Sequence, residues 1–375
     1  MVAFSMTANT ALTEIEMVDA AVAWLRSRLP ETWEIGPTSR QGPMGGGRVD
    51  AALDIKGSNG TFTTIVVEAK KTFGPRGVDQ LLGSLGRAVL NLAGHIPILV
   101  VAPWLSDRTR QRLREERINY LDLTGNAFLR LDNPTVFIET QGSRKDPAPL
   151  ERGKARLQGP KAGRLVRTLI DVRPPYGVRD LAAATDLTPG YVSRLLDTLD
   201  DEALVQRSAK RAVESVDIRG LLRRWAESYD VFRANATTTC LAAAGASQTI
   251  KRLAAAGIPN AVTGSFAAVR LAPVAGPALL AVYCDDPAAL IDSLELIPTD
   301  QGANVAVLRP FDPVVWERTS VDDAVTFAAP SQVAIDCLTG NGRMPAEGEA
   351  LVEWMTVDED AWRLRRLPPG RRASQ

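Results

Sequence analysis

Residues 178–216 read VRDLAAATDLTPGYVSRLLDTLDDEALVQRSAKRAVESV, and their punctuation decides the local fold. Val178 to Thr185 predicts a short helix and Asp186-Leu187 a turn. Thr188 is placed to N-cap the next helix, with Pro189 at its first position. In that helix Val192, Leu195, Leu196 and Leu199 recur at helical spacing and point inward. Tyr191, Ser193 and Arg194 occupy the opposite face. Ala203-Leu204-Val205 begins a strand, Ser208-Ala209-Lys210-Arg211 makes a cationic turn, and Ala212 to Val216 returns. Upstream, Arg164 to Val172 supplies one more helix.

Helix, helix, turn, N-capped helix and basic hairpin is the order of a winged helix-turn-helix, here over 163–217. Its chemistry suits double-stranded DNA: an α-helix fits the major groove, and its N-terminal residues meet base edges. Arg194 is the candidate base reader, because arginine makes bidentate contacts to guanine. Thr188 and the helix N-terminus suit a phosphate. Tyr191 and Ser193 flank them, and Arg207, Lys210 and Arg211 of the hairpin suit the DNA backbone or minor groove. A homodimer is expected, since such elements often read two half-sites. A winged helix used for protein contact, in a scaffold protein, is the alternative.

The stretch before it, 142–162, reads GSRKDPAPLERGKARLQGPKA and forms a basic linker with Arg144, Lys145, Arg152, Lys154, Arg156 and Lys161. Before that, 1–141 alternates strand-like and helix-like segments. Leu12 to Leu29 has helical periodicity ended by Pro30. Strands are predicted at 49–55, 61–67, 96–101, 120–123 and 127–131, with helices at 77–93 and 106–117. That order predicts an α/β domain.

Charge and composition bound the possibilities. The 44 basic and 44 acidic residues cancel, so the chain is no uniformly basic DNA-coating protein. Three scattered cysteines, Cys240, Cys284 and Cys337, form no CxxC pair and point to a reducing cytoplasm. One histidine, His95, leaves little material for histidine-based catalysis. No leader peptide and no membrane span are expected.

In the N-terminal domain Asp50 lies in one predicted strand and Glu68-Ala69-Lys70 ends the next. Residues two apart on a strand share a face, so Glu68 and Lys70 point together. If the two strands pair across the Gly57–Gly60 turn, Asp50 approaches them. Two carboxylates around a hard divalent ion, with a lysine nearby, suit metal-assisted phosphodiester cleavage. The pattern resembles the PD-(D/E)XK superfamily of restriction-endonuclease-like domains. The resemblance implies a Mg²⁺-dependent DNA endonuclease with Asp50, Glu68 and Lys70 as its active site and Asp50 and Glu68 as metal ligands. Gln80, on the following helix, is a further position such domains use, and Glu16 a further candidate ligand. Asp122 and Asn126 form another polar cluster, in which Gly125-Asn126 predicts a tight turn.

Residues 218–375 are alanine-rich, with helices predicted near 218–234 and 247–255 and strands at 260–264, 279–284 and 303–309. Thr263-Gly264-Ser265 opens a predicted helix, and Tyr283-Cys284-Asp285-Asp286 ends a strand. Gly-Ser followed by strand acids resembles nucleotidyltransferases, although these adjacent acids would point to opposite sides. The winged helix, Thr263-Gly264-Ser265-Phe266-Ala267-Ala268 and Ala329-Pro330-Ser331-Gln332-Val333-Ala334-Ile335-Asp336 together resemble the AbiEi-type antitoxins of type IV toxin–antitoxin systems. That resemblance implies a transcriptional repressor with a non-catalytic, nucleotidyltransferase-like C-terminal domain at 218–375 and a toxin or other protein partner. The fold expected is thus a multidomain α/β and α+β chain.

Overall fold

The computed structural model describes residues 12–44, 47–90, 96–147 and 157–368. His95 and the linker residues Arg152, Lys154 and Arg156 lie outside them. Two compact units result: Met1–Gly153 with Asp201–Ala203, and Lys154–Asp200 with Leu204–Gln375. Both are mixed α/β, built from helices and mixed sheets.

The first unit is a seven-stranded sheet in sequential order between helices. Helix α1 (Glu14–Arg28) leads into strands β1 (Glu34–Met44), β2 (Gly47–Lys56) and β3 (Phe62–Ala69). Then come α2 (Pro75–Leu90), β4 (Ile98–Ala102), α3 (Asp107–Glu115), β5 (Asn119–Asp122), β6 (Ala127–Asp132) and β7 (Thr135–Thr140). Strands β3, β4 and β5 run parallel, joined by helical crossovers, and the remaining pairs are antiparallel. Helix α1 buries Met17, Ala21 and Leu25 with Leu53, Ile65 and Leu129. A second core joins Val78 and Leu81 of α2 and Leu113 of α3 to Val66, Val100 and Tyr120 of the sheet. Strand β1 carries no strand signal because Pro37, Gly42 and Pro43 interrupt it. An edge strand tolerates them, since its outer N–H groups need no partner.

The second unit begins with helices α4 (Gly159–Asp171), α5 (Val178–Thr185) and α6 (Pro189–Asp201). Strands β8 (Val205–Arg207) and β9 (Val213–Val216) follow as a separate antiparallel pair. Helices α7 (Ile218–Ala226) and α8 (Val231–Ala234) replace the single helix expected over 218–234, because Asp230 caps a new start by accepting from Phe232 and Arg233 N–H. The rest is β10 (Ala236–Leu241), α9 (Ala246–Arg252), β11 (Asn260–Thr263), α10 (Ser265–Ala268), β12 (Leu280–Cys284), α11 (Pro287–Ser293), β13 (Ile297–Pro298), β14 (Val305–Arg309), β15 (Ser320–Asp322), β16 (Val325–Phe327), α12 (Pro330–Leu338) and α13 (Met344–Val357). The sheet order is β13-β10-β14-β12-β11-β16-β15.

The sequence divides this unit at residue 217, but the structure packs both sides into one core. Leu165, Leu169, Leu195 and Leu199 belong to the same buried cluster as Val262, Val307, Ile335 and Leu351. Polar bonds add to the weld. Arg167 of α4, 1% exposed, donates to Asp171 (3.0 Å), the Val314 and Glu317 carbonyls (3.1 and 3.2 Å) and Gln332 Oε1 of α12 (3.0 Å). Arg164 pairs with Asp312 at 2.8 Å, and Arg363 donates to the Leu169 and Val172 carbonyls.

Candidate functional site

Two groups of side chains stand out, one in each unit. In the first, the β2–β3 hairpin closes through the Gly57 N–H bond to the Thr61 carbonyl (2.8 Å), with Gly60 at φ 78°. The register pairs Ala51 with Val67, which sets Asp50 beside the end of β3. Asp50 Oδ2 accepts from Ala69 N–H at 2.9 Å and lies 3.4 Å from Lys70 Nζ. Lys70 Nζ lies 2.6 Å from Glu68 Oε1. The three side chains named from the sequence therefore converge.

The electrostatics are uneven. Burial pushes the Glu68 carboxyl above its usual range, helped by Asp50 and Glu14 and opposed by the Lys70 hydrogen bond. Burial would lower Lys70, but bonds and charges from Glu68 and Asp50 outweigh it and hold the ammonium above its usual value. Glu68 Oε2 is buried with no hydrogen-bond partner among the described residues. A lone buried carboxylate oxygen is costly unless something cationic meets it. Asp50 and Glu68 thus fit a hard divalent ion as donors, although no set of three acidic, histidine or cysteine ligands gathers among the described residues.

Glu16 does not join this group. Thr13 and Glu16 form a reciprocal capping box at the start of α1, with Glu16 Oε2 accepting from Thr13 N–H at 2.7 Å. Those bonds hold its carboxyl below the usual range. The acid of α1 whose charge reaches Glu68 is Glu14, half-buried two residues earlier. Gln80 sits exposed on α2, and no contact found among the described residues joins it to the three. Asp122 is a structural knot: it accepts from Leu105 N–H, Thr124 N–H and Oγ1, and Asn126 N–H and Nδ2, at 2.6–3.1 Å. Asn126 Oδ1 is held by Gly142 N–H and by Arg110. Both are buried, so the tight turn carries their role.

In the second unit, α5 ends on Asp186 in the left-handed conformation (φ 53°), and Leu187 N–H returns to the Ala182 carbonyl at 3.0 Å. The chain is turned directly into Thr188, whose Oγ1 accepts from Tyr191 N–H at 3.4 Å. Thr188 and Arg194 are exposed and Ser193 is half-buried. Tyr191 leans its ring on the core, and burial raises its hydroxyl above the usual value. In the β8–β9 turn Lys210 and Arg211 are exposed. Arg207 corrects the sequence reading. Its side chain is 4% exposed, bonded to Asp197 of α6 at 2.6 Å and to the Arg211 carbonyl at 3.0 and 3.1 Å. Arg207 fastens the hairpin to α6 and does not face solvent, while Arg211 also pairs with Asp197.

The Gly-Ser and acid pair of the C-terminal region separate. Strands β11 and β12 are antiparallel, with Thr263 opposite Ala281 and Asn260 opposite Cys284. Gly264-Ser265 and Asp285-Asp286 therefore leave opposite ends of the strand pair, about 15–20 Å apart along it at about 3.3 Å per residue. The Ser265 hydroxyl is committed to Glu347, both buried. Beside Thr263 lies Asp336, fully buried, which accepts from Thr263 (2.6 Å), Tyr283 (2.8 Å), Tyr229 (2.9 Å) and Gln332 Nε2 (2.8 Å). Burial raises its carboxyl to about 6 against those four bonds.

Comparisons with known proteins bear on both units. Among solved structures, a repair endonuclease from Pyrococcus abyssi is 19% identical, covering 31% of this chain and 49% of its own, with a TM-score of 0.23. The EndoMS–dsDNA2 complex is 21% identical (33% and 48% covered, TM-score 0.24), and EndoMS in apo form 21% (31% and 48%, TM-score 0.19). The matches span about half the length of those chains. No curated protein matches. No helix among the described residues is long and apolar enough to cross a membrane. Residues 215–353 match the family described as transcriptional regulator, AbiEi antitoxin, type IV TA system.

Proposed function

We propose that the chain is a DNA-binding transcriptional regulator that reads duplex DNA through a winged helix formed by α4–α6 and the β8–β9 hairpin. The observation behind this reading is the exposed start of α6. Thr188 and Arg194 stand in solvent on a helix whose other face is fully buried, beside a hairpin tipped by Lys210 and Arg211. The match of residues 215–353 to a family described as transcriptional regulators supports it. In this reading Arg194 contacts a base edge and Lys210 and Arg211 contact phosphates. A dimer reading two half-sites fits it.

The test is selection of bound duplexes from a random pool with wild-type and Arg194→Ala protein. Loss of sequence preference with residual salt-dependent binding is the outcome this reading requires. An unchanged preference in Arg194→Ala would move the base contact elsewhere.

A second reading, a metal-dependent DNA endonuclease, is favoured by one observation: the buried Glu68 Oε2, which has no partner among the described residues, beside Asp50 and Lys70. Asp50 and Glu68 would hold the divalent ion, which when bound supplies Lewis acidity to a phosphodiester. Lys70, held cationic, would steady negative charge developing on the phosphate. Mg²⁺-dependent nicking of plasmid, lost in Asp50→Ala, would establish it.

A further inference from the structure

On the first unit's sheet an aromatic row runs outward from the covered centre to an open edge. Tyr120, Phe128 and Glu139 are register partners across β5, β6 and β7. Tyr120 is buried and stacks on Phe128 at 6.0 Å between ring centroids. Phe128 meets Phe137 edge to face at 5.9 Å, and Phe137 is 66% exposed. Arg114 lies over both inner rings, at 5.8 Å from Tyr120 and 5.6 Å from Phe128, and is fixed by the Tyr120 hydroxyl and by Glu139 at 2.6 Å. Arg130, directly opposite Phe137 on β6, is exposed, and no ion pair is found for it among the described residues.

We propose that this β6–β7 face is a stacking platform for an unpaired base of single-stranded DNA, with Phe137 under the base and Arg130 on the adjoining phosphate. An exposed ring can stack a base and a neighbouring cation can meet its phosphate, and this edge places Phe137 and Arg130 opposite one another. A second copy of the chain would need a contact near 1,000 Å². Here a single exposed ring stands among Arg114, Arg130, Asp132 and Glu139, too little apolar surface for that. The platform lies on the same side of the sheet as Glu68, because Glu68, Val100, Tyr120 and Phe128 are successive register partners. It is separate from the duplex contact through Arg194 and does not rest on it.

The experiment is fluorescence anisotropy of a short labelled oligo-dT with the full chain, beside a duplex probe in parallel samples. Phe137→Ala weakens oligo-dT binding about tenfold, and Phe137→Tyr restores it. Arg130→Gln weakens it less and flattens its salt dependence. All three variants bind duplex as wild type does, whereas Arg194→Ala loses duplex preference and keeps oligo-dT binding. The proposal is overturned if Phe137→Ala binds oligo-dT unchanged, if wild type does not bind it, or if Phe137→Ala changes the sedimentation of the chain, which would make the face a contact between copies.

Discussion

The Asp50–Glu68–Lys70 group and the Asp336 group are both clusters of polar side chains, and they are opposites. Asp336 is fully buried and receives four hydrogen bonds from neutral donors. Glu68 is partly buried, shares one oxygen with Lys70, and leaves the other without a partner among the described residues. A closed, satisfied network specifies a core. An open one keeps bonding capacity for something from outside. The same contrast separates two arginines: Arg207 is spent inside on Asp197, and Arg194 is left in solvent. Satisfaction, more than residue type, distinguishes a candidate site from scaffolding here.

The sharpest way to break the comparison is in the closed network. Arg167→Met takes the donor from Gln332 Oε1 and two carbonyls and leaves Asp171 with Arg318 alone, at 3.1 Å. It should cost about 3–5 kcal/mol of stability, read by urea denaturation. A loss below about 1 kcal/mol would mean the network is not closed. Asp336 gives a pH signature. Its folded carboxyl titrates at about 6, above its unfolded value, so the folded state holds the extra proton. Stability from this group is present at acid pH and falls as pH rises to about 6, by roughly 2–3 kcal/mol. Melts of Asp336→Asn between those pH values should lose that slope.

Next in size is the arginine pair. Arg194→Ala should weaken specific duplex binding by about 1–3 kcal/mol and leave the melting temperature unchanged. Arg207→Ala should do the reverse at first, lowering stability by about 1 kcal/mol through the freed hairpin. If both variants behave alike, the distinction between them fails. The smallest effect belongs to the open site. Glu68→Gln removes a carboxylate whose ionised form is disfavoured by burial, so stability above the usual carboxylate range should rise slightly. A clear loss would mean Glu68 is a structural ion-pair member.

What the sequence disclosed follows the range of the forces involved. The turn between α5 and α6 was legible because Asp186, Thr188 and Pro189 act within a few residues. The approach of Asp50 to Glu68 was legible because one short hairpin sets it. Arg207 was not, because Asp197 comes to it from another element only when the hairpin folds back on α6. Nor was the split of Gly264 from Asp285, which depends on the direction of the β11–β12 pairing. Two misses had readable signals. Thr13-Glu14-Ile15-Glu16 spells a capping box, which assigns Glu16 to the helix start. Asp230 ahead of Val231 is an N-cap that divides the helix expected over 218–234. The single core shared by α4–α6 and the C-terminal sheet has no local signal at all. It comes from Arg167 and the leucines of α4 meeting residues about 150 positions away.

The most direct test of the central claim is one set of samples: the 375-residue chain with plasmid and duplex DNA in Mg²⁺, followed by gel shift across a salt series and by agarose for strand breaks, with an Asp50→Ala/Lys70→Ala control. The account predicts a shift that weakens with salt and intact DNA in both proteins. Absence of any shift at low salt would contradict the DNA-binding reading, and breaks that vanish in the control would make the chain a nuclease first.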